Sequence, residues 1–330
     1  MIGPAEEPPL DARPRSSPTD YSLEHCTVTR RTPTELLLLT RPYSWLDMVL
    51  TALIGMAWNG HPTAPGRQVS TAAVALLAWF SLNWISEYTQ RDPGREPPSR
   101  LLSTLPLLGA AGWSFFLGGG RALALIGIYA VLAFAYPWKA RTRAMGPFGP
   151  VIRGAQTALL FLLGESFAPG GRPSGRMVLA LVIIQASRSL IADVRDSRTD
   201  KYELPKIIGD RWAKAVSIAL LILGIAALPA PNPASGAAHV IFIFMLVILI
   251  IFTVEWAYEA HLAFIFLTTF AKLAIFTALI GESGHINWII LAPAQLVLGI
   301  SYWYIPRGSN KTFREHMVRA IRIVSNDARN

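Results

Sequence analysis

MVLALVIIQASRSLIADVRDSRTD, residues 177–200, decides how this chain is read. A long apolar run, Met177–Ala192, leads directly into Asp193, Asp196 and Asp200. Spacings of three and seven put these carboxylates on one face of a helix. Like charges so arranged repel one another and are costly at the edge of hydrocarbon. A multivalent cation, or a strong hydrogen-bond field, makes the arrangement sensible. Oxygen-only ligands at a membrane boundary suit Mg²⁺ completed by substrate phosphates. The stretch therefore predicts a diphosphate site at a membrane surface.

Composition carries the same message through the rest of the chain. Of 330 residues, 52% are hydrophobic and only 15% are charged, with mean hydropathy +0.39. Soluble domains carry about 25% charged residues. The deficit, with repeated apolar runs of roughly 17–20 residues, predicts an all-α polytopic membrane bundle. The short alternating segments of a β-barrel are missing from the pattern. Candidate spans lie at 43–58, 70–88, 101–118, 122–137, 150–167, 177–193, 212–230, 238–255, 260–281 and 286–305. The ninth is the weakest, because Lys272 interrupts it. The expectation is nine to ten spans around a central cavity open to the cytoplasm.

A net charge of +9 raises the question of nucleic acid, and its distribution answers it. With a cytoplasmic N-terminus, most of the 30 Lys and Arg fall on the cytoplasmic side. The outer side keeps Arg67, Arg121, Arg172 and Arg176, while Arg188 and Lys272 lie within spans. This is the positive-inside bias of a cytoplasmic membrane protein, and it places the Asp triad inside. The single cysteine, Cys26, excludes an internal disulfide. Residues 1–40 are rich in Pro, Ser, Arg and Glu and lack a signal-peptide apolar region, so most of them are expected to be disordered. Residues 41–306 form the membrane domain. In 307–330, Phe313, Met317, Ile321 and Val324 recur at helical spacing among Arg314, Arg319 and Arg322. That tail reads as a basic amphipathic helix on the inner leaflet or as a solvated one.

A second acidic cluster closes the second span. Asn83 and Glu87 are one helical turn apart, and Asp92 follows just before Pro93-Gly94. All three are hard oxygen ligands. Two such clusters facing one cavity would clamp a diphosphate through Mg²⁺ ions. Between them in sequence lie Lys139, Arg141 and Arg143, cations on the same expected side that could receive a departing pyrophosphate. Arg188, five residues before Asp193, costs roughly 2.5–3.5 kcal/mol within a span on insertion scales, so it should pair with a carboxylate or phosphate. Lys272 has no evident partner in the sequence.

These residues resemble the UbiA superfamily of intramembrane prenyltransferases over roughly 41–305. Asp193-Val-Arg-Asp196-Ser-Arg-Thr-Asp200 fits the second family motif fully, and Leu204-Pro205 and Gly209 follow as in many members. Arg41-Pro42 and Tyr136-Pro137 look like the entry to the first span and the loop after the fourth. The first motif departs: Asn83 fits, but Trp84, Glu87 and Arg91 replace its three Asp, and Asp92 substitutes only with an insertion. Ala192 stands where Lys is common.

The resemblance implies Mg²⁺-dependent transfer (Mn²⁺ as an alternative ion) of an isoprenyl group from its diphosphate to an acceptor, taken as aromatic. It implies Asn83, Glu87, Asp92, Asp193, Asp196 and Asp200 as metal ligands. Lys139, Arg141, Arg143, Arg188, Arg195 and Lys201 would bind the diphosphate. Tyr136, with Trp79 and Trp84, would face an allylic cation at ~0.5–2 kcal/mol each. Asp200 is either a ligand or an acceptor-side base. A terpene cyclase, a phosphoribosyl transferase acting on polyprenyl phosphate, and a membrane transporter are the competing readings.

Overall fold

The computed structural model describes residues 32–58, 64–90, 97–140, 142–168, 170, 174–196, 202–229, 233–251 and 257–280. Every regular element among them is helical. They are α1 (Pro33–Leu39), α2 (Trp45–Ala57), α3 (Pro65–Gln90), α4 (Arg100–Ala135), α5 (Gly149–Ser166), α6 (Gly175–Asp196), α7 (Leu204–Ile208), α8 (Asp210–Ala227), α9 (Pro233–Ile251) and α10 (Ala257–Ile280). The weak ninth span is a helix, α10. The proposed tenth span, 286–305, and the tail 307–330 lie outside the described residues, as do 1–31.

Among the described residues, four segments are long and apolar enough to cross a membrane: Pro65–Thr89, Arg100–Lys139, Gly175–Arg195 and Ala263–Ile280. Ala238–Ile250 is a shorter apolar helix. An unbroken helix of 36 residues would be about 54 Å long, nearly twice the ~30 Å hydrocarbon core. Gly119 resolves this for α4. Its φ of 63° and ψ of −151° interrupt the helix and divide it into arms 100–118 and 120–135, much where the sequence separates two spans. A side chain would resist that φ, and glycine does not. Each arm buries one stripe, Ser103, Leu107, Ala110 and Ser114 on the first and Ala122, Ile126, Tyr129 and Ala133 on the second. The opposite faces leave Phe115, Phe116, Val131 and Phe134 exposed, as a lipid-facing surface requires.

The helices form a closed ring. Each long helix packs on the next in the order α2, α3, α4, α5, α6, α8, α9, α10, and α10 returns to α2. Cross-contacts α2–α5 and α6–α10 fill the middle. The apolar core has two main clusters. One is built from α2, α5, α6, α8, α9 and α10, the other from α2, α3, α4 and α5. Nearly every residue of α2 is buried, as befits a central helix.

Small residues let the central helices touch. A Cβ on Gly55 would lie 1.9 Å from the Phe161 carbonyl oxygen, and one on Gly164 would lie 1.8 Å from that of Ala52. Backbone-to-backbone packing of this kind is a main source of helix association in lipid, where apolar burial contributes little. At the end of the bundle bearing Gly119, arginines satisfy orphan helix carbonyls. Arg67 donates to Phe167 O at 3.1 Å and Arg176 to Leu228 O at 3.2 Å. Arg121 there pairs with buried Glu165 at 2.5 Å. The 1–40 segment also contributes structure: α1 is tied to α3 by the Trp84 indole N–H, which donates to Leu36 O at 2.9 Å.

Candidate active site

The other end of the ring gathers the charged side chains. The path begins on α3. Asn83 is 2% exposed and donates from Nδ2 to Trp79 O one turn back, at 2.8 Å. Its Oδ1 is buried without a hydrogen-bond partner among the described residues. Such an orphaned acceptor is costly unless a group beyond the described residues satisfies it. Glu87, one turn further, is half-buried. The Trp79 ring lies 5.3 Å from the guanidinium of Arg153 on α5, and the same guanidinium sits 3.9 Å from the centre of the Tyr136 ring. Lys139 lies 5.0 Å from that ring. Two protein cations thus already occupy the faces of Tyr136.

Lys139 then reaches α6. Its Nζ donates to Asp193 Oδ1 at 2.7 Å and to Glu203 Oε1 at 2.5 Å. All three groups are buried. The chain of contacts Trp79–Arg153–Tyr136–Lys139–Asp193 therefore joins the acidic end of α3 to the acidic end of α6. Arg41 adds a second link, lying within electrostatic reach of Glu87, Tyr136 and Arg195. Arg41 has φ 56° and ψ 68°, a left-handed conformation costing about 1–2 kcal/mol for a residue with a side chain. Pro42 disfavours the right-handed alternative. Indole N–H groups of Trp45 and Trp79 fix the turn by donating to Thr40 O, at 3.2 and 2.7 Å.

Arg188 and Lys272 both find the same partner. Asp47 on α2, fully buried, receives Arg188 Nη1 at 2.5 Å and Lys272 Nζ at 2.7 Å. Arg188 Nη2 also donates to Ser44 Oγ at 2.9 Å, and Lys272 to Thr51 Oγ1 at 2.8 Å. The triad pins α6 and α10 to the central helix. Arg195 Nη1 lies 3.0 Å from Nδ1 of buried His261 on α10. Arginine only donates, so Nδ1 accepts and the His261 proton sits on Nε2.

Arg143 is exposed on the loop after Lys139. Asp196 ends α6, but its side chain, together with Asp92, Arg141, Asp200 and Lys201, lies outside the described residues. Among the described residues no group of three His, Cys, Asp or Glu side chains comes close enough to hold a metal. The described donors nonetheless fit part of a hard-cation site. Asn83 offers an unsatisfied buried oxygen, and the Asp193 carboxylate already holds a cation, the Lys139 ammonium. Asp47 and Glu203 escaped the sequence reading. An acid inside the first apolar run was the available signal for Asp47. For Glu203 there was none, because its role depends on a loop returning to Lys139.

The arrangement defines a class: a membrane helical bundle whose charged centre sits at one end, between the polar ends of two of its helices. Solved structures specify it further. A UbiA homologue from Archaeoglobus fulgidus bound to DMAPP and Mg²⁺ superposes with TM-score 0.59 at 15% identity, over 74% of this chain and 98% of that one. A digeranylgeranylglyceryl phosphate synthase gives TM-score 0.55 at 18% identity, over 74% and 99%. The apo UbiA homologue from Aeropyrum pernix K1 gives 0.55 at 16%, over 74% and 98%. No family model matches the sequence, and no curated protein matches it. The chain has the fold of the UbiA-type prenyltransferases.

Proposed function

We propose that this protein is an integral membrane prenyltransferase. It would transfer an isoprenyl group from a prenyl diphosphate to a small, aromatic acceptor at the cytoplasmic face of the inner membrane. Both chain ends would lie in the cytoplasm, with nine or ten spans between them. The observation that carries the reading is the bridge from Trp79 through Arg153, Tyr136 and Lys139 to Asp193, which brings the polar ends of α3 and α6 to one end of the bundle. The neighbouring fold, with homologues bound to DMAPP or geranyl diphosphate and Mg²⁺, supports it.

In this reading Asn83, Glu87, Asp193, Asp196 and Asp200 hold the divalent ion, with Asp92 as a further candidate. Mg²⁺, or Mn²⁺ in its place, supplies charge neutralisation of the diphosphate, which makes it a better leaving group. The protein's own cations do the rest of the anchoring. Lys139 and Arg195 would reach the diphosphate from the site wall, with Arg141, Arg143 and Lys201 as further candidates. Arg188, held by Asp47 and Ser44, is another candidate. The allylic C1–O bond breaks with its electron pair leaving on the diphosphate oxygen. The acceptor's nucleophilic carbon bonds to C1 and releases its proton to a base, for which Asp200 is the candidate. The buried walls exclude water, which would otherwise capture the cation. Equilibrium binding of labelled geranyl diphosphate to purified protein in nanodiscs tests the reading. Binding should need Mg²⁺ and disappear in Asp193→Ala; equal binding in EDTA would refute it.

A further inference from the structure

We propose that Glu203 is a positioning residue: it takes over the Lys139 ammonium when a divalent cation takes Asp193, so that metal binding and Lys139 placement are coupled. The proposal rests on the metal reading of Asp193 given above. Three observations carry it. First, Lys139 Nζ is shared between Asp193 Oδ1 at 2.7 Å and Glu203 Oε1 at 2.5 Å, with the Glu203 side chain fully buried. One ammonium is thus already shared by two buried carboxylates. Secondly, both ends of the Lys139–Glu203 contact lie in tight packing. A Cβ on Gly149 would lie 2.7 Å from Lys139 Cδ, so the lysine stem runs across a glycine that makes room for it. A Cβ on Gly146 would lie 1.7 Å from Tyr202 O, so the loop after Lys139 packs directly on the residue before Glu203. Thirdly, Glu203 sits at the N-terminus of α7, where its carbonyl receives Lys206 N–H at 2.9 Å and Pro205 stiffens the first turn.

The physical consequence follows from competition. With Asp193 as its only anion, Lys139, held on Oδ1, would have to share a single carboxylate with the incoming metal. Metal binding would then strand a buried ammonium beside a divalent ion, an expensive arrangement. Glu203 supplies the alternative partner, and Lys139 stays within reach of an incoming diphosphate.

Mn²⁺ binding to the full chain in nanodiscs, followed by electron paramagnetic resonance with the metal alone, reads this without turnover. Glu203→Gln should weaken Mn²⁺ binding about ten-fold, in the range of ordinary site-to-site coupling. Glu203→Asp, which keeps the charge, should recover most of the loss. In a Lys139→Met background, Glu203→Gln should change affinity by less than about two-fold, because no ammonium remains to be placed. An unchanged affinity in Glu203→Gln overturns the proposal while leaving the metal site standing. So does an equal loss with and without Lys139, which would make Glu203 a ligand or a purely structural group. Absence of Mn²⁺ binding by the wild-type chain overturns the metal reading and the proposal together.

Discussion

Asp47→Asn should be among the most destabilising isosteric changes in this chain. Asp47 is wholly buried and is the common anion of Arg188, at 2.5 Å, and Lys272, at 2.7 Å, both themselves almost fully buried. Asparagine keeps the shape but not the charge, so two cations are left in a low-dielectric interior. Breaking a buried ion pair by removing one partner costs about 3–5 kcal/mol, a large share of a typical total of about 5–15 kcal/mol. At roughly 2–4 °C per kcal/mol, the unfolding midpoint should fall by about 10 °C. The triad's excess positive charge makes a second, sharper expectation. Lys272→Met leaves a one-to-one Asp47–Arg188 pair and should be much milder than Asp47→Asn. In the double variant, one stranded cation is gone and part of the lost stability should return. Tryptophan fluorescence during heating in detergent or nanodiscs measures all three. An Asp47→Asn midpoint within about 1 °C of wild type, or strictly additive losses in the double variant, would refute the reasoning.

Asp193→Ala and Asp196→Ala should each lower prenyl transfer by about 10²-fold or more, as expected if charge stabilisation at the diphosphate dominates; retained turnover would move the metal site elsewhere. Glu87→Gln should lose far more diphosphate release than Asp92→Asn, because Glu87 follows Asn83 by one helical turn whereas Asp92 is nine residues from Asn83 in sequence, about 180° away on an ideal helix; steady-state rates of both variants decide it. Gly164→Ala should destabilise by about 1–3 kcal/mol or more, since its Cβ would meet the Ala52 carbonyl at 1.8 Å. Gly112→Ala, with open space around its Cβ inside a helix, should be neutral or stabilising by up to ~1 kcal/mol. Thermal midpoints of the two glycine variants provide the comparison.

The helical bundle was legible because membrane spans announce themselves by length and hydropathy alone. Even the division of α4 was readable, since Gly118-Gly119-Gly120 and Arg121 separate two apolar runs. Asp193 was legible because its spacing to Asp196 and Asp200 is helical and its charge is out of place. The partners of the buried cations were not. Arg188 and Asp47 are 141 residues apart and Lys272 is 225 from Asp47, so only the closure of α10 onto α2 brings them together. Glu203 was invisible for the same reason, being brought to Lys139 from 64 residues away. The conformation of Arg41 was not legible: Pro42 disfavours the right-handed helix but favours extended backbone, and the two indole N–H groups that hold the left-handed turn come from different helices.

The central claim is metal-dependent prenyl transfer, and one measurement addresses it directly. Purified protein in nanodiscs is incubated with Mg²⁺, radiolabelled dimethylallyl, geranyl or geranylgeranyl diphosphate, and a lipid and small-molecule extract of the source cells as the acceptor pool. The account predicts pyrophosphate release matched mole for mole by a labelled product that contains an acceptor from the extract. Formation of that product should stop in EDTA and in Asp193→Ala. A labelled cyclic hydrocarbon formed without extract, or a product that persists in EDTA, would contradict it.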